Sequence, residues 1–431
     1  MFNFRDLSVY LPTKRRCNVM QSVRWYILLF VLAVAGAMDA QTIISGLVKD
    51  RQTGRALSRV SISAEGGEPR TVTNDDGRFE LKVTRQPRYL LLSHLGYKTC
   101  RQTVDVGRTA GELTILMTPT TVQLSEVIIS VADPYDIVRS AMQRIEANYP
   151  RERELVRCFY RETARRGSRF ISIAEAVMDM YKTGYNAGPQ YDAIAILKGR
   201  RLMSLKARDT LGVKVQGGPV MPLMADVAKN PDYMFNLEGL SQCYMYSEVP
   251  QTVDDRLHYV VRIEPHEGTP WPLMGGRLYI DQQSFAISRA ELHLDVRDWR
   301  KASQYMLVNK PATLRFRPRE LTMTLVYHTG NDGITRLSYL RNEMRFNCDW
   351  KRRLFASTFT TVSEMVVTDR LDHGDAVRRP RGRDSFGLRE RFYDRVEYFN
   401  DPDFWADYNI IAPTESLQYA ITKLRKTAQQ K

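Results

Sequence analysis

Between residues 155 and 368 apolar and polar side chains alternate over long segments, and this period of two restricts the fold more than any other feature of the chain. The alternating segments are 155–162, 170–181, 193–205, 243–249, 257–263, 276–281, 286–296, 314–327, 334–346 and 355–368. Short turns join several of them, including Gln282-Gln283-Ser284 and Gly330-Asn331-Asp332-Gly333. Long strands joined in this way predict one large antiparallel sheet. A sheet of that width must curl or split to bury its apolar face, so a curved sheet or half-barrel is expected. The stretch from Gly217-Gly218-Pro219 to Tyr233 is less regular, and residues 226–229 read as a helical turn laid across the mouth of the sheet.

Upstream, the strands are shorter. Residues 41–50 alternate, Gln52-Thr53-Gly54 turns the chain, and Leu57-x-x-Val60-x-Ile62 starts the next strand. Asn74-Asp75-Asp76-Gly77 is a second turn, because Asn, Asp and Gly tolerate the positive φ of tight hairpins. Phe79-x-Leu81-x-Val83 and Leu90-Leu91-Leu92-Ser93 follow, then a turn at Gly96. The pattern Gly46-x-Val48-x-Asp50-x-x-Thr53-Gly54-x-Ala56-Leu57-x-x-Val60-x-Ile62 resembles the carboxypeptidase-regulatory-like domain. Thr73-Asn74-Asp75-Asp76-Gly77-Arg78-Phe79 and Ser93-x-x-Gly96-Tyr97 carry the same resemblance. It implies a seven-stranded, transthyretin-like (prealbumin-like) β-sandwich of the kind appended to metallocarboxypeptidases and to many cell-surface proteins of Bacteroidota. Val122-x-Leu124-x-Glu126-Val127-x-Ile129 is similar to the strand that leads into the plug of TonB-dependent receptors, but here Asp133-Pro134 opens a helix.

Arg24 precedes an apolar core over 25–37, of signal-peptide length and short for a membrane span. Ala35-Gly36-Ala37 and Ala40 before Gln41 both offer cleavage sites; an uncleaved anchor is the competing reading. Translation can start at Met1 or at Met20. No cysteine follows the apolar core at a lipoprotein position, and Cys17 lies ahead of it, so no lipid anchor is expected. The protein is therefore expected in the periplasm or at the outer-membrane surface. Net charge is +14, and the five basic and two acidic residues of 1–40 leave about +11 without them. That balance suits peripheral contact with an anionic membrane surface, and it equally suits plain solubility. Export disfavours nucleic acid as a partner. Cys100, Cys158, Cys243 and Cys348 show no metal-type spacing, and mostly free, buried thiols are expected, with two disulfides as the alternative.

Asp133 and Pro134 suit the N-cap and first position of a helix whose apolar face holds Ile137, Ala141 and Ile145, with Val138 and Met142 beside it. Asn148-Tyr149-Pro150 stops it. Arg277-Leu278-Tyr279-Ile280-Asp281 with Ala286-Ile287-x-Arg289-Ala290-Glu291-Leu292 is similar to the unit of lipoprotein-localisation-factor-like half-barrels, which implies an apolar concavity for acyl chains. Residues 370–391, centred on Arg378-Arg379-Pro380-Arg381-Gly382-Arg383, read as a basic loop. A helix from Thr414 follows, with Leu417, Ile421 and Leu424 on one face. Phe404-Trp405-x-x-Tyr408-Asn409-Ile410-Ile411-x-Pro413, Tyr160-Arg161-Glu162, Ala174-Glu175-Ala176-Val177 and the helix ending at Pro150 resemble an uncharacterised family of exported Bacteroidota proteins. The expected organisation is mostly β: a leader (1–40), the sandwich (41–131), a connecting helix (132–152), the curved antiparallel domain (153–369), and a basic loop with a C-terminal helix (370–431).

No catalytic motif stands out. His94, His258, His266, His293, His328 and His373 form neither HxxE nor HExxH, and Pro265, Gly268 and Pro270 forbid a helix around His266-Glu267. Gly239-Leu240-Ser241-Gln242-Cys243 fails the nucleophile-elbow pattern at its second glycine. Asn74-Asp75-Asp76-Gly77 lacks the later bidentate Glu of a calcium loop. Glu162, Glu175 and Asp179 are expected to face solvent rather than to form an acid/base pair. No catalytic, cofactor or metal residue is assigned. The expected function is a non-catalytic envelope protein with the sandwich as docking module. Its curved sheet would bind an apolar ligand such as an envelope lipid, or an outer-membrane protein partner. That reading requires an open, aromatic-lined apolar surface, and a concavity filled by the protein's own side chains would count against it. A carbohydrate-binding surface protein is the alternative, and an unrecognised hydrolase a third.

Overall fold

In β1 (Thr42–Asp50), Ile44, Gly46, Val48 and Asp50 turn inward. Gly46 is required there, because a Cβ would lie 2.6 Å from the Phe79 ring. The computed structural model describes residues 41–104, 112–120, 133–204, 214–215, 218–231, 239–350, 356–374, 377–382, 385–387, 390, 392–398, 405 and 408–429. The expected leader and strand 122–129 lie outside these residues, as do parts of the basic loop.

The sandwich continues with β2 (Ser61–Ala64), β3 (Arg70–Val72), β4 (Arg78–Val83), β5 (Tyr89–Ser93), β6 (Cys100–Thr103) and β7 (Leu113–Met117). Its sheets run β4-β1-β7 and β3-β2-β5-β6 around Val48, Val60, Ile62, Phe79, Leu81, Leu90 and Leu92. Residues picked out by the motif hold the turns. Asp50 accepts the Gln52 and Thr53 N–H groups at 2.7 Å each, and the Tyr97 hydroxyl donates to its other oxygen at 2.6 Å. The Asn74 carbonyl accepts the Asp76 and Arg78 N–H groups while Gly77 adopts φ +76°.

Next come α1 (Pro134–Gln143) and α2 (Ile145–Asn148), one expected helix interrupted at Arg144. Asp133 caps α1 by accepting the Tyr135 N–H at 2.9 Å. The large sheet then begins with β8 (Glu154–Arg166), β9 (Arg169–Lys182) and β10 (Ala193–Met203). After β11 (Lys214–Val215) and α3 (Met221–Met224) it resumes with β12 (Cys243–Val253), β13 (Arg256–Pro265), β14 (Met274–Asp281) and β15 (Ile287–Leu294). α4 (Trp299–Met306) and β16 (Leu307–Asn309) precede β17 (Leu314–Thr329), β18 (Thr335–Trp350) and β19 (Ser357–His373), and β20 (Glu397–Tyr398) and α5 (Glu415–Gln429) end the chain.

The sheet order is β12-β13-β14-β15-β17-β18-β19-β8-β9-β10-β20, antiparallel throughout except for the short parallel β20. Its outer strands do not pair with each other, so no barrel closes. Each of the ten alternating segments is one of its strands. Sandwich and sheet belong to one compact unit, residues 43–431.

One expectation needs correction. β19 runs to His373 rather than ending at 368, because it stays paired with β8 as far as His373 opposite Glu154. The sandwich is tied to the rest of the chain. Its Thr71 hydroxyl donates to Ile410 O, its Asn74 amide to Ala412 and Pro413 O, and its Lys82 main chain exchanges two bonds with the Asn409 amide. Ile410, Ile411 and Trp405 then pack on Phe159, Val177, Tyr339 and Val366 of the sheet. The sandwich is thus fastened to the sheet by the chain's own C-terminal strap, residues 408–414. Beyond it, α5 lays Leu417, Ile421 and Leu424 on Ile173 and Leu202.

Gly276 sits inside β14 at φ +138°, and a Cβ there would stand 2.0 Å from Glu291 O. Gly276→Ala is expected to lower stability by about 1–3 kcal/mol, read as a lowered thermal midpoint.

Candidate functional site

The sheet face opposite the strap carries one continuous apolar cluster from Cys243 and Met245 on β12 to Val396 near β20. It is rich in methionine. Met178, Met180, Met221, Met245, Met274, Met306, Met323, Met344 and Met365 belong to it and Met142 packs against it, ten of the seventeen in the chain. Unbranched, polarizable thioethers adapt to irregular apolar shapes, which suits a surface that changes what it packs against.

This face is not the open concavity that an apolar-ligand reading expects. α1, the segment 218–231, α4 and the stretch around Phe386 and Phe392 cover it with Ile137, Leu223, Val227 and Met306. Two cavities are described, of about 40 and about 30 Å³, each with room for a water molecule or two. The larger is lined by Arg70, Glu154, Lys182, Tyr185, Arg336 and Arg370.

The covering segment 218–231 is fixed by buried charge. Asp226, 0% exposed, accepts from Lys182 Nζ at 2.5 Å, from the Tyr185 hydroxyl at 2.7 Å and from the Tyr327 hydroxyl at 2.9 Å. Lys229 Nζ donates to Asp192 Oδ1 and to Thr183 O, both at 2.6 Å. Among the described residues Asp192 Oδ2 is buried without a hydrogen-bond partner. Tyr149 stacks on Tyr185, meets Tyr327 edge-on, and donates its hydroxyl to Ile287 O at 2.9 Å.

Burial opposes charge throughout this group. It would raise the Asp226 carboxyl, but Lys182 and the two tyrosine hydroxyls bring it below its ordinary value. Burial would lower Lys182, but Asp226 and Asp192 bring it above. Burial, with repulsion from Lys182, takes Lys229 down to about 8 against the pull of Asp192.

Glu162, Glu175 and Asp179 do not face solvent as expected. Glu175 is 1% exposed, bridging Arg161 Nε and Arg200 Nε at 2.7 Å each, with the Trp405 indole donating at 3.3 Å. Glu162 accepts from the buried Tyr160 hydroxyl, and Asp179 pairs with Arg157 at 2.9 Å. Both sheet faces are covered, so carboxylates on either side of β8 and β9 meet internal partners. The four cysteines among the described residues are free, Cys158, Cys243 and Cys348 buried and Cys100 half-buried.

The nearest approach to a nucleophile and base was not read from the sequence. Ser288 Oγ lies 2.8 Å from His258 Nε2, whose Nδ1 lies 2.8 Å from Arg256 O. His258 is buried, and Ser288 lines the 30 Å³ cavity between sandwich and sheet. His266 stacks on Tyr244 at the surface. The sandwich offers no aromatic platform for sugars: Tyr97 is bonded to Asp50, and Arg101 lies 3.5 Å over the Tyr89 ring. Among the described residues no three His, Cys, Asp or Glu side chains group to hold a metal ion.

Asp226, Lys229, Lys182 and Asp192 were missed as a group. The available signal was an acid and a base three residues apart, Asp226 and Lys229, inside the apolar run Pro222-Leu223-Met224-Ala225-x-Val227-Ala228.

Residues 44–129 match the CarboxypepD_reg-like domain family, and the match stops before α1. No curated protein matches the sequence. Among solved structures the chain is similar to a LolA superfamily protein from Nitrosomonas europaea, at 13% identity and a TM-score of 0.20, over 55% of this chain and 94% of that one. A DUF1329 family protein from Desulfovibrio piger gives 12% identity and a TM-score of 0.21, over 55% of this chain and 94% of that one. A lipovitellin structure, titled for lipid–protein interactions, gives 8% identity and a TM-score of 0.26, over 59% of this chain and 28% of that one. Superpositions this loose establish neither a shared fold nor a shared ligand.

Proposed function

We propose that this is a non-catalytic, exported envelope protein that binds an apolar ligand, of lipid or acyl type, against the methionine-rich face of its large sheet. The observation that carries the reading is the seven methionines that the strands bring to that face, Met178, Met180, Met245, Met274, Met323, Met344 and Met365, with Met142, Met221 and Met306 packed over them from the covering segments. With the face covered, the ligand enters by displacing the segment 218–231, whose Leu223 and Val227 occupy the apolar surface the ligand would take. The excess of basic residues supports a location beside anionic envelope surfaces, periplasmic or at the outer membrane.

Native mass spectrometry with lipid extraction, on protein purified from an envelope fraction of its own host, tests this directly. A co-purifying lipid or acyl species is the expected result. A clean unliganded mass, together with no uptake of a fluorescent fatty acid, would sink the ligand reading and leave a scaffold role.

The non-catalytic half of the proposal is tested at Ser288. A fluorophosphonate probe is expected to leave it unlabelled, since the adjoining cavity admits water and little else. Labelling that disappears in Ser288→Ala would establish a hydrolase instead.

A further inference from the structure

Beyond the strap, toward the first residues of β17, its side of the sheet carries a group of arginines whose placement the strand pairing fixes. Arg317, Asn347 and Thr358 stand opposite one another on β17, β18 and β19. Glu320, Arg345, Thr360 and Arg165 form the next row, from β17 to β8. Directly opposed residues share a face, as do residues two apart on one strand, which adds Arg315. Arg161, four residues before Arg165 on β8, donates to Ile411 O of the strap, so the whole group stands on the strap side. Arg319 joins it through the irregularity between Pro318 and Glu320, and its guanidinium lies 3.0 Å from the Asn347 amide.

Carboxylates do not balance this group. Arg315, Arg317, Arg319 and Arg345 are exposed, and Arg165 is half-buried over the Phe170 ring. Among the described residues Arg345 alone of the five has an ion pair, a loose one with Glu320 at 3.8 Å, both side chains about half-exposed. Asp349 stands opposite Arg315 without pairing to it. Elsewhere on the sheet arginines are matched: Arg157 by Asp179, Arg277 by Glu248, Arg289 by Glu291, and Arg341 by Glu343 and Glu364. Like charges gathered on one face repel, and an ordinary solvated surface intersperses both signs.

The spread of the five indicates the kind of partner. From β17 to β8 is three strand spacings, about 14 Å, and Arg315 and Arg317 are about 7 Å apart along β17. One small anion cannot reach them all, and neither described cavity is lined by any of them. The planar fork of a guanidinium matches the oxygens of a phosphate. An open sheet face, rather than a groove, lies best against a plane that repeats such groups.

We propose that this face, through Arg165, Arg315, Arg317, Arg319 and Arg345, docks the protein on the phosphate headgroups of an anionic phospholipid bilayer. The assignment rests on the envelope location proposed above, and it leaves the opposite, methionine-rich face to the apolar ligand.

Cosedimentation of the full chain with phosphatidylcholine vesicles, with and without phosphatidylglycerol, tests it. Binding is expected only with phosphatidylglycerol, weakening as salt is added; no binding to either vesicle overturns the proposal. Arg315→Gln/Arg317→Gln/Arg345→Gln should weaken binding about a hundredfold, from about fivefold for each arginine near the surface. The equal charge change Arg55→Gln/Arg85→Gln/Lys98→Gln, at exposed positions of the sandwich, should leave most of the binding. An equal loss in both triple variants would make net charge the cause and overturn the assignment. Phenylglyoxal footprinting of the unmodified chain needs no variant: vesicles should protect Arg315, Arg317 and Arg345, and modification unchanged by vesicles refutes the docking face. Binding of a soluble anionic polysaccharide through these arginines, with none to vesicles, refutes it equally. Fatty-acid uptake should be unchanged in the first triple variant, so a failure of the apolar-ligand reading is seen separately from a failure of this one.

Discussion

Asp226→Ala is expected to destabilise the folded chain by about 3–5 kcal/mol, because it leaves the buried ammonium of Lys182 without its counter-charge. Geometry sets that size. The carboxylate is completely buried and takes three hydrogen bonds, from Lys182, Tyr185 and Tyr327, which come from two different strands and the loop after one of them. Urea denaturation of the purified protein measures the loss. Lys182→Met added to Asp226→Ala should recover part of it, since the orphaned charge is then gone. If the single variant loses less than about 1 kcal/mol, the network is not a fastening, for that is the scale of an exposed pair. The same variant bears on function. With segment 218–231 loosened, uptake of a fluorescent fatty acid should rise while the sheet stays folded; an unchanged uptake in a folded variant would argue that the ligand does not enter there.

Glu175→Ala is expected to cost a comparable amount, about 3–5 kcal/mol, by exposing two buried guanidinium groups to each other. Here acid provides an independent reading. Burial alone would raise the Glu175 carboxyl, but Arg161 and Arg200 outweigh it and hold the group at about 2. A carboxyl depressed in the fold stabilises it above the unfolded value near 4.5, and loses that contribution as pH falls through about 2. The parent should therefore lose stability on acidification across that window, by about 3 kcal/mol from this group. The variant should lack that share of the acid sensitivity. Fluorescence of the buried Trp405, whose indole donates to Glu175, reports the local change. An acid profile identical in parent and variant would refute the assignment.

Much of the architecture was legible because a period of two survives in every long strand, and because turn residues such as Asn74, Gly77 and Gly333 mark where strands reverse. Asp50 and Tyr97 show a sequence motif becoming one hydrogen bond. What stayed hidden was covering, not pairing. Glu175 shares its side of β9 with Ile173 and Val177, and its burial depends on Arg161 and Arg200 beside it and on Trp405, far along the chain. Asp226 and Lys229 likewise read as a helical turn across the mouth of the sheet, with no sign of buried charge until Lys182 and Asp192 are placed beside them. Alternation states which side of a strand a residue occupies; what lies over that side is decided by segments whose distance in sequence leaves no local trace.

The strap has a consequence for the order of assembly. Thr71 and Asn74 find their partners at Ile410 and Ala412, 339 and 338 residues later. As the chain is synthesised, the sandwich can close on its own core almost at once, yet the strap that completes its seat on the sheet does not exist until nearly the last residue has emerged. Contacts this distant carry a large loop-closure cost and form late. A ribosome that stops short of residue 408, or a protease that trims the tail, would leave a folded first domain held only by its direct contacts with the sheet, such as Glu68 with Arg370 and Ser93 with Asp254.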